Sequence, residues 1–326
     1  MIARFSTLVM ACTAASTLMI FTAMPSVQSK PQTPPTNPAP SVPETNFNVD
    51  VAVLTMSVTV TDEKGKSVAG LTKDDFVLLE DGKQQPISGF RAVTSETENR
   101  VPLGLGLVID VSGSMAIGDR LGSMRTAVEG LLNKRLGPED QIYFMEFASQ
   151  PRLIIPWTAD RKEIMNAIRK IKTRDGTAIY DAVAAALPVS AQGKSKKQVM
   201  LVITDGADLN SKVNRSQLSV MARAAEVLVY ALVVSDEERG LQDTSAIRQA
   251  VAELSQVTDA TGGRTQFVRG FQELENALGN FGKDLTSQYE ISFERTAPKD
   301  GQFHPVRIGV RKQGVTVRHK LGYVGN

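Results

Sequence analysis

Three short stretches of this chain carry oxygen donors at spacings that suit a hard divalent cation. The first runs Asp110-Val111-Ser112-Gly113-Ser114, with a carboxylate and two hydroxyls at alternate residues. The second is Asp175-Gly176-Thr177 and the third Thr204-Asp205-Gly206. Mg2+ takes six oxygens in near-octahedral geometry and gives up its waters reluctantly. The hydroxyls of Ser112, Ser114 and Thr177 would be neutral ligands. Asp110 and Asp205 would supply charge, directly or through water. One tight loop lets Asp110, Ser112 and Ser114 point inward together, and Gly113 permits the bend. Two carboxylates leave the ion under-neutralised, so an open coordination position would attract an acidic group from a partner.

Other chemistries fit less well. The chain has one cysteine, Cys12, and two histidines, His304 and His319, so a disulfide and a Cys/His zinc cluster are both excluded. A Ser-His-Asp triad needs an oriented histidine. His304 sits in a Gly/Pro-rich turn and His319 between Arg318 and Lys320, so both read as surface residues. Gly65-Lys66-Ser67 and Gly193-Lys194-Ser195 imitate the end of a phosphate-binding loop, but its first glycine would fall on Val60 or Pro188. A phosphotransfer aspartate at Asp110 would want a second acid where Ser112 stands. The formal net charge is +2 and no dense Lys/Arg cluster appears, which gives no footprint for nucleic acid. Arg174, Asp175, Asp208 and Asn210 neighbour the donors in sequence; they read either as a rim that selects a partner or as solvated loop residues. Trp157 and Tyr143 read as core.

The donors need elements that bring them to one place. Leu103 to Ile109 is an apolar run ending at Asp110, and Val199 to Ile203 is another ending just before Thr204-Asp205. Between and after them come Gln141 to Phe147, Leu153 to Trp157, Leu228 to Val234 and Thr265 to Val268 as strands. Helical periodicity runs through Arg120 to Leu136, Asp160 to Lys172, Ala178 to Ala191, Ser216 to Val227, Thr244 to Ala260 and Phe271 to Thr286. This alternation predicts an α/β fold, a doubly wound, mostly parallel, Rossmann-like sheet with helices on both faces. Ligands on such sheets bind outside the carboxyl ends of the strands. Residues 47–97 and 287–326 instead show period-two alternation, with turns at Asp62 to Gly65, Asp81-Gly82 and Pro298 to Gly301. These flanks are expected to pair into a small antiparallel β-sandwich around the 98–286 domain.

With those elements in place, D-x-S-x-S followed by Thr177 and by the aspartate of T-D-G resembles the metal-ion-dependent adhesion site of von Willebrand factor A domains. Asp110, Ser112, Ser114, Thr177 and Asp205 match all five positions, over a resemblance spanning about Val101 to Thr286. It implies that the three hydroxyls touch the metal while the aspartates act mostly through water. The family's Gly-Gly-Thr reads Asp175-Gly176-Thr177 here, which adds a carboxylate beside the site without replacing a ligand. The layout looks like that of bacterial secreted proteins with this domain. The implied role is binding, without catalysis, of a protein or glycan ligand offering an acidic group, through Mg2+ or alternatively Mn2+ or Ca2+. The alternatives are a metal-stabilised structural component of the cell envelope and a metal-dependent hydrolase; for a hydrolase Asp175 and Asp208 are the candidate bases.

The N-terminus reads as a targeting segment. Arg4 precedes an uncharged stretch from Phe5 to Met24, and Val27-Gln28-Ser29 offers a cleavage site, making 1–29 a signal peptide. An uncleaved anchor and lipid attachment at Cys12 are the alternatives, and only these would bring membrane contact. Each places the folded part outside the cytoplasm: secreted, periplasmic or at the cell surface. Residues 30–46 are Pro-rich and read as an extended linker.

Overall fold

Buried apolar strands organise the structure, a computed structural model that describes residues 52–93, 101–235 and 243–325. The stretch read as a signal peptide with its expected cleavage site, Cys12, the Pro-rich residues read as a linker and the start of the first flank lie outside these residues. Six strands form the central sheet: β5 (Leu103–Asp110), β6 (Gln141–Phe147), β7 (Pro151–Thr158), β8 (Lys197–Thr204), β9 (Leu228–Ser235) and β10 (Arg264–Arg269). Their order is β10-β9-β8-β5-β6-β7. All neighbours are parallel except the β6–β7 pair. Every residue of β5 is buried, as expected of a central strand covered on both faces.

Period-two alternation divides the strand side chains between two apolar layers. Leu105, Leu107, Ile109, Leu201 and Ile203 face α1 (Arg120–Arg135), α2 (Arg161–Arg169) and α6 (Leu274–Thr286). Val108, Met200, Val202, Tyr143 and Met145 face α3 (Ile179–Ala191), α4 (Arg215–Ala224) and α5 (Asp243–Thr261). The expected helix from Phe271 is in part a 3-10 turn over Phe271–Glu273, and the α-helix begins at Leu274.

The flanks make two four-stranded sheets, each mixing both parts of the chain. These strands are β1 (Val53–Asp62), β2 (Phe76–Glu80), β3 (Lys83–Gln85), β4 (Ile87–Val93), β11 (Gln288–Glu294), β12 (Phe303–Val310), β13 (Val315–Arg318) and β14 (Gly322–Val324). The orders are β13-β1-β11-β4 and β14-β12-β2-β3. Val58, Phe76, Leu78, Ile291, Phe293, Val306 and Ile308 from both sheets share one core. β14 was not anticipated; it is three residues long, too short to show a period. Both histidines depart from the surface reading. His304 lies on the inward parity of β12 with Val306 and Ile308 and is buried between Asp81 and Asp300, at 2.9 and 3.1 Å. His319 Nε2 accepts the Ile308 N–H at 2.9 Å.

The sandwich abuts the amino ends of the central strands. Lys197, at the start of β8, donates to the Leu285 carbonyl at 2.7 Å and to Gln288 Oε1. Gln288 Nε2 donates to Thr59 Oγ1 at 3.0 Å. Asp284 accepts from Arg318 at 3.0 Å and pairs with Arg264 at 3.2 Å.

Candidate functional site

The carboxyl ends of β5 and β8 form the opposite edge of the sheet. The two strands are adjacent and parallel, with Ile109 level with Ile203. The chain leaves β5 toward β6 on one side, while β8 and β9 lie on the other, so the strand order reverses here. Such a switch point opens a crevice outside the sheet. Asp110 and Asp205 stand at its two lips, both buried.

Asp110 is held from two sides. Its Oδ1 accepts the Ser112 N–H at 2.8 Å and its Oδ2 accepts the Thr204 hydroxyl at 2.6 Å. Burial pushes its pKa up to about 6; the Thr204 bond opposes this, the Asp205 charge adds to it, and the Ser112 bonds oppose it. A cation in the crevice would favour the charged form. Beyond Asp110, a 3-10 turn over Gly113–Ala116 carries Ser114, and Ser112 stands at its N-cap in extended conformation. Ser112 Oγ and Ser114 Oγ lie 2.9 Å apart, and Ser114 Oγ donates to Asp205 Oδ1 at 2.6 Å. Gly113 does not take a positive φ. The 3-10 turn makes the bend with ordinary backbone angles.

Thr177 arrives from a third loop. Arg174 N–H bonds the Val111 carbonyl at 2.8 Å, and Arg174 forms a parallel bridge with Ser112. This lays the Arg174-to-Thr177 segment along the serine loop. Gly176, at φ +87°, turns the chain. Thr177 is buried; its N–H donates to Asn210 Oδ1 at 2.8 Å, and its carbonyl accepts from Leu209 N at 2.8 Å and Asn210 N at 3.2 Å.

The four rim positions take distinct places. Asp208 Oδ1 accepts from Tyr180 N at 3.2 Å and from the Ser211 hydroxyl at 2.5 Å, capping the start of α3, whose own N-cap residue Ala178 has no capping side chain. Asn210 clamps Thr177. Arg174 turns to Glu146, a buried carboxylate that also pairs with Arg152 at 3.3 Å. Asp175 is exposed, and its Oδ1 lies 3.9 Å from where a Cβ on Gly113 would stand.

One residue of the site was not singled out from sequence. Arg120, the first residue of α1, is buried and donates to Asp205 Oδ2 at 2.8 Å and to the Ser114 carbonyl at 3.0 Å. Its guanidinium carbon stands 5.8 Å from the centroid of the Phe271 ring. An arginine opening an amphipathic helix carries no local sign that distinguishes it from a solvated one.

The donor set fits a small hard cation. Among the described residues no group of three or more His, Cys, Asp or Glu side chains could hold a metal ion. An ion here would rely on hydroxyls as well as carboxylates. Two oxygens on neighbouring vertices of a Mg2+ octahedron are about 2.9 Å apart for bonds of about 2.0–2.1 Å, which matches the Ser112–Ser114 separation.

Residues 105–207 match the family model described as von Willebrand factor type A domain. The Synechocystis sp. uncharacterized protein sll0103 is 26% identical over 189 residues, covering 57% of this chain and 44% of its own length. The chain thus spans less than half of that relative. Among solved structures, a von Willebrand factor type A protein from Catenulispora acidiphila is 14% identical, with a TM-score of 0.48 and coverage of 76% of this chain and 75% of that one. Proximal thread matrix protein 1 from the mussel byssus, with a zinc-occupied MIDAS motif, is 18% identical, with a TM-score of 0.47 and coverage of 63% and 50%.

Proposed function

Starting from a von Willebrand factor type A domain over residues 105–207, we propose that this chain is an extracytoplasmic binding protein. It holds a protein or glycan ligand through a divalent ion at Asp110, Ser112, Ser114, Thr177 and Asp205. The domain itself supports a metal-dependent, interaction-type role. The observation that carries the finer reading is the run of oxygens from Ser112 through Ser114 to Asp205, at 2.9 and 2.6 Å across the crevice between β5 and β8. Mg2+ suits these donors, with Mn2+ or Ca2+ as alternatives. When bound, the ion supplies a fixed positive charge that a ligand carboxylate can complete. Within this reading 98–286 is the binding domain, and 47–97 with 287–326 is a sandwich holding it from behind.

Binding is favoured over turnover because neither histidine is near the crevice; both are engaged in the sandwich. Asp208, a candidate base, is committed to the α3 cap. Among the described residues no helix is long and apolar enough to cross a membrane, and the Phe5 to Met24 stretch lies outside them.

The test is Mg2+ titration by calorimetry of the wild type and of a Ser112→Ala/Ser114→Ala double variant, which removes two donors and no charge. The wild type is expected to bind one ion and the variant to lose it while circular dichroism stays native. Undiminished binding by the variant would sink the assignment. A pull-down from envelope extract with and without EDTA then asks whether partner capture needs the ion.

A further inference from the structure

We propose that the open edge of β1 is a docking site for an extended, acidic segment of a partner protein, which adds one strand to the sandwich. The site lies at the amino ends of the central strands and is independent of the metal reading. β1 pairs with β11 from Val53 to Val58, but with β13 only from Thr59 to Asp62. β13 ends at Arg318, and the chain then turns away. His319 Nε2 accepts the Ile308 N–H at 2.9 Å, and the Leu321 N–H donates to the Ala260 carbonyl at 3.2 Å. Among the described residues no strand takes the place of β13 beside residues 53–57. The Ala52 carbonyl accepts the Arg295 N–H at 3.0 Å on the β11 side. Antiparallel alternation therefore turns the backbone N–H and C=O of Val53, Thr55 and Ser57 to the open side. Residues 53–57 line a cleft of about 370 Å3, and Lys320, two residues past β13, lines it as well, which puts the cleft on that side.

Nothing guards this edge. Proteins protect free strand edges with charge, proline, bulges or shortness. The strands that end the three sheets each show one of these. β7 has Pro151 and Pro156, β10 has Arg264 and Arg269, and β4 has Arg91 and a register shift. β3, β13 and β14 are three or four residues long. Val53-Leu54-Thr55-Met56-Ser57 has no charge, no proline and no register shift, and Val53 is 58% exposed. A row of extended backbone groups is matched by another extended backbone. Charge selects which one. Lys196, exposed, also lines the cleft. Lys320 meets Glu226 at 3.4 Å, but that glutamate side chain is 87% exposed, so the pair is weak and easily exchanged. Carboxylates on the guest strand would meet Lys196 and Lys320, while its apolar residues cover Val53 and Leu228.

The experiment adds a synthetic heptapeptide of alternating valine and glutamate to the full chain and reads amide hydrogen exchange at Val53, Thr55 and Ser57. These amides are expected to exchange freely in the chain alone and at least about tenfold more slowly with the peptide. A valine–lysine heptapeptide should bind at least about threefold more weakly, and a fully N-methylated acidic peptide should not slow exchange. Thr55→Pro removes an N–H that faces the open side and leaves the β11 ladder intact. It should keep native circular dichroism and lose the protection at Ser57. Should it unfold, Lys196→Glu/Lys320→Glu decides, with the acidic peptide weakened and the lysine peptide strengthened. Protection of these amides in the chain alone, unmoved exchange with the peptide present, or equal binding of the two peptides would each overturn the proposal. Protection that EDTA abolishes would move the peptide to the metal site and overturn it as well. A dimer in sedimentation that Thr55→Pro dissolves would make a second copy of the chain the occupant, with the same consequence.

Discussion

Gly176→Ala tests whether the loop that delivers Thr177 is held by backbone geometry. Gly176 has φ +87°, and a Cβ there would stand 2.8 Å from Ser149 Cβ, 2.9 Å from Ser149 Cα and 2.9 Å from Asn210 Oδ1. Two costs add. A left-handed non-glycine residue costs about 1–2 kcal/mol. Overpacking against a neighbour that includes backbone adds about 1–3 kcal/mol, because no rotamer change moves Ser149 Cα away. The expected loss is about 3 kcal/mol. Gly118→Ala is the control. Its φ is +57° with nothing within 4 Å of an added Cβ, so it carries the conformational cost alone. Alanine lowers the unfolded chain's entropy equally in both variants, so their difference isolates the contact at about 2 kcal/mol. Urea unfolding at constant m-value reads this difference. The same samples with Mg2+ read the site, since a ligand of the native state raises the midpoint by linkage. Gly176→Ala should lose much of that rise, because the displaced Asn210 Oδ1 is the acceptor of the Thr177 N–H. Gly118→Ala should keep it. Equal destabilisation of the two variants, within about 0.5 kcal/mol, would refute the account of the loop.

Three further outcomes follow from named contacts. Asn210→Ala leaves the Thr177 N–H without its acceptor and should cost about 1 kcal/mol in urea unfolding and weaken Mg2+ binding by calorimetry; an unchanged Mg2+ affinity would count against the clamp. Asp284→Ala strips the buried partner from Arg264 and Arg318 and should cost about 3 kcal/mol, while the Mg2+ response stays intact because Asp284 lies at the other edge of the sheet; a lost Mg2+ response would contradict that separation. Burial by itself pushes the His304 pKa down, but the Asp81 and Asp300 carboxylates on its two nitrogens outweigh it and hold the imidazolium above the ordinary value of 6.5. Its stabilisation is therefore full below pH 6.5 and lost as pH rises through the folded-state value. Urea midpoints should fall over that window in wild type and less in His304→Gln, and parallel profiles would refute the pairing.

How much could be read ahead depended on the reach of each signal. β5 and β8 were visible as apolar runs because strands covered on both faces bury every residue, and Asp110 and Asp205 were visible because they break those runs at the carboxyl ends. The alternating flanks were visible for the corresponding reason, one buried face at period two. The places of the rim residues were not legible. Asp208, Asn210 and Arg174 look like solvated loop residues in sequence, yet their partners, Tyr180, Thr177 and Glu146, lie 28 to 33 residues away. His304 was misread because a neighbouring turn outweighed the parity of its strand.

The sequence by itself determined the donor types, their spacing and the kind of element each follows, because those are local properties of a strand end. Only the tertiary structure decided that β5 and β8 lie side by side, and that Arg120 from a helix start and Phe271 from the chain's far end meet at Asp205. Strand order and the pairing of a buried charge depend on contacts between distant segments, and no periodicity in the chain records them.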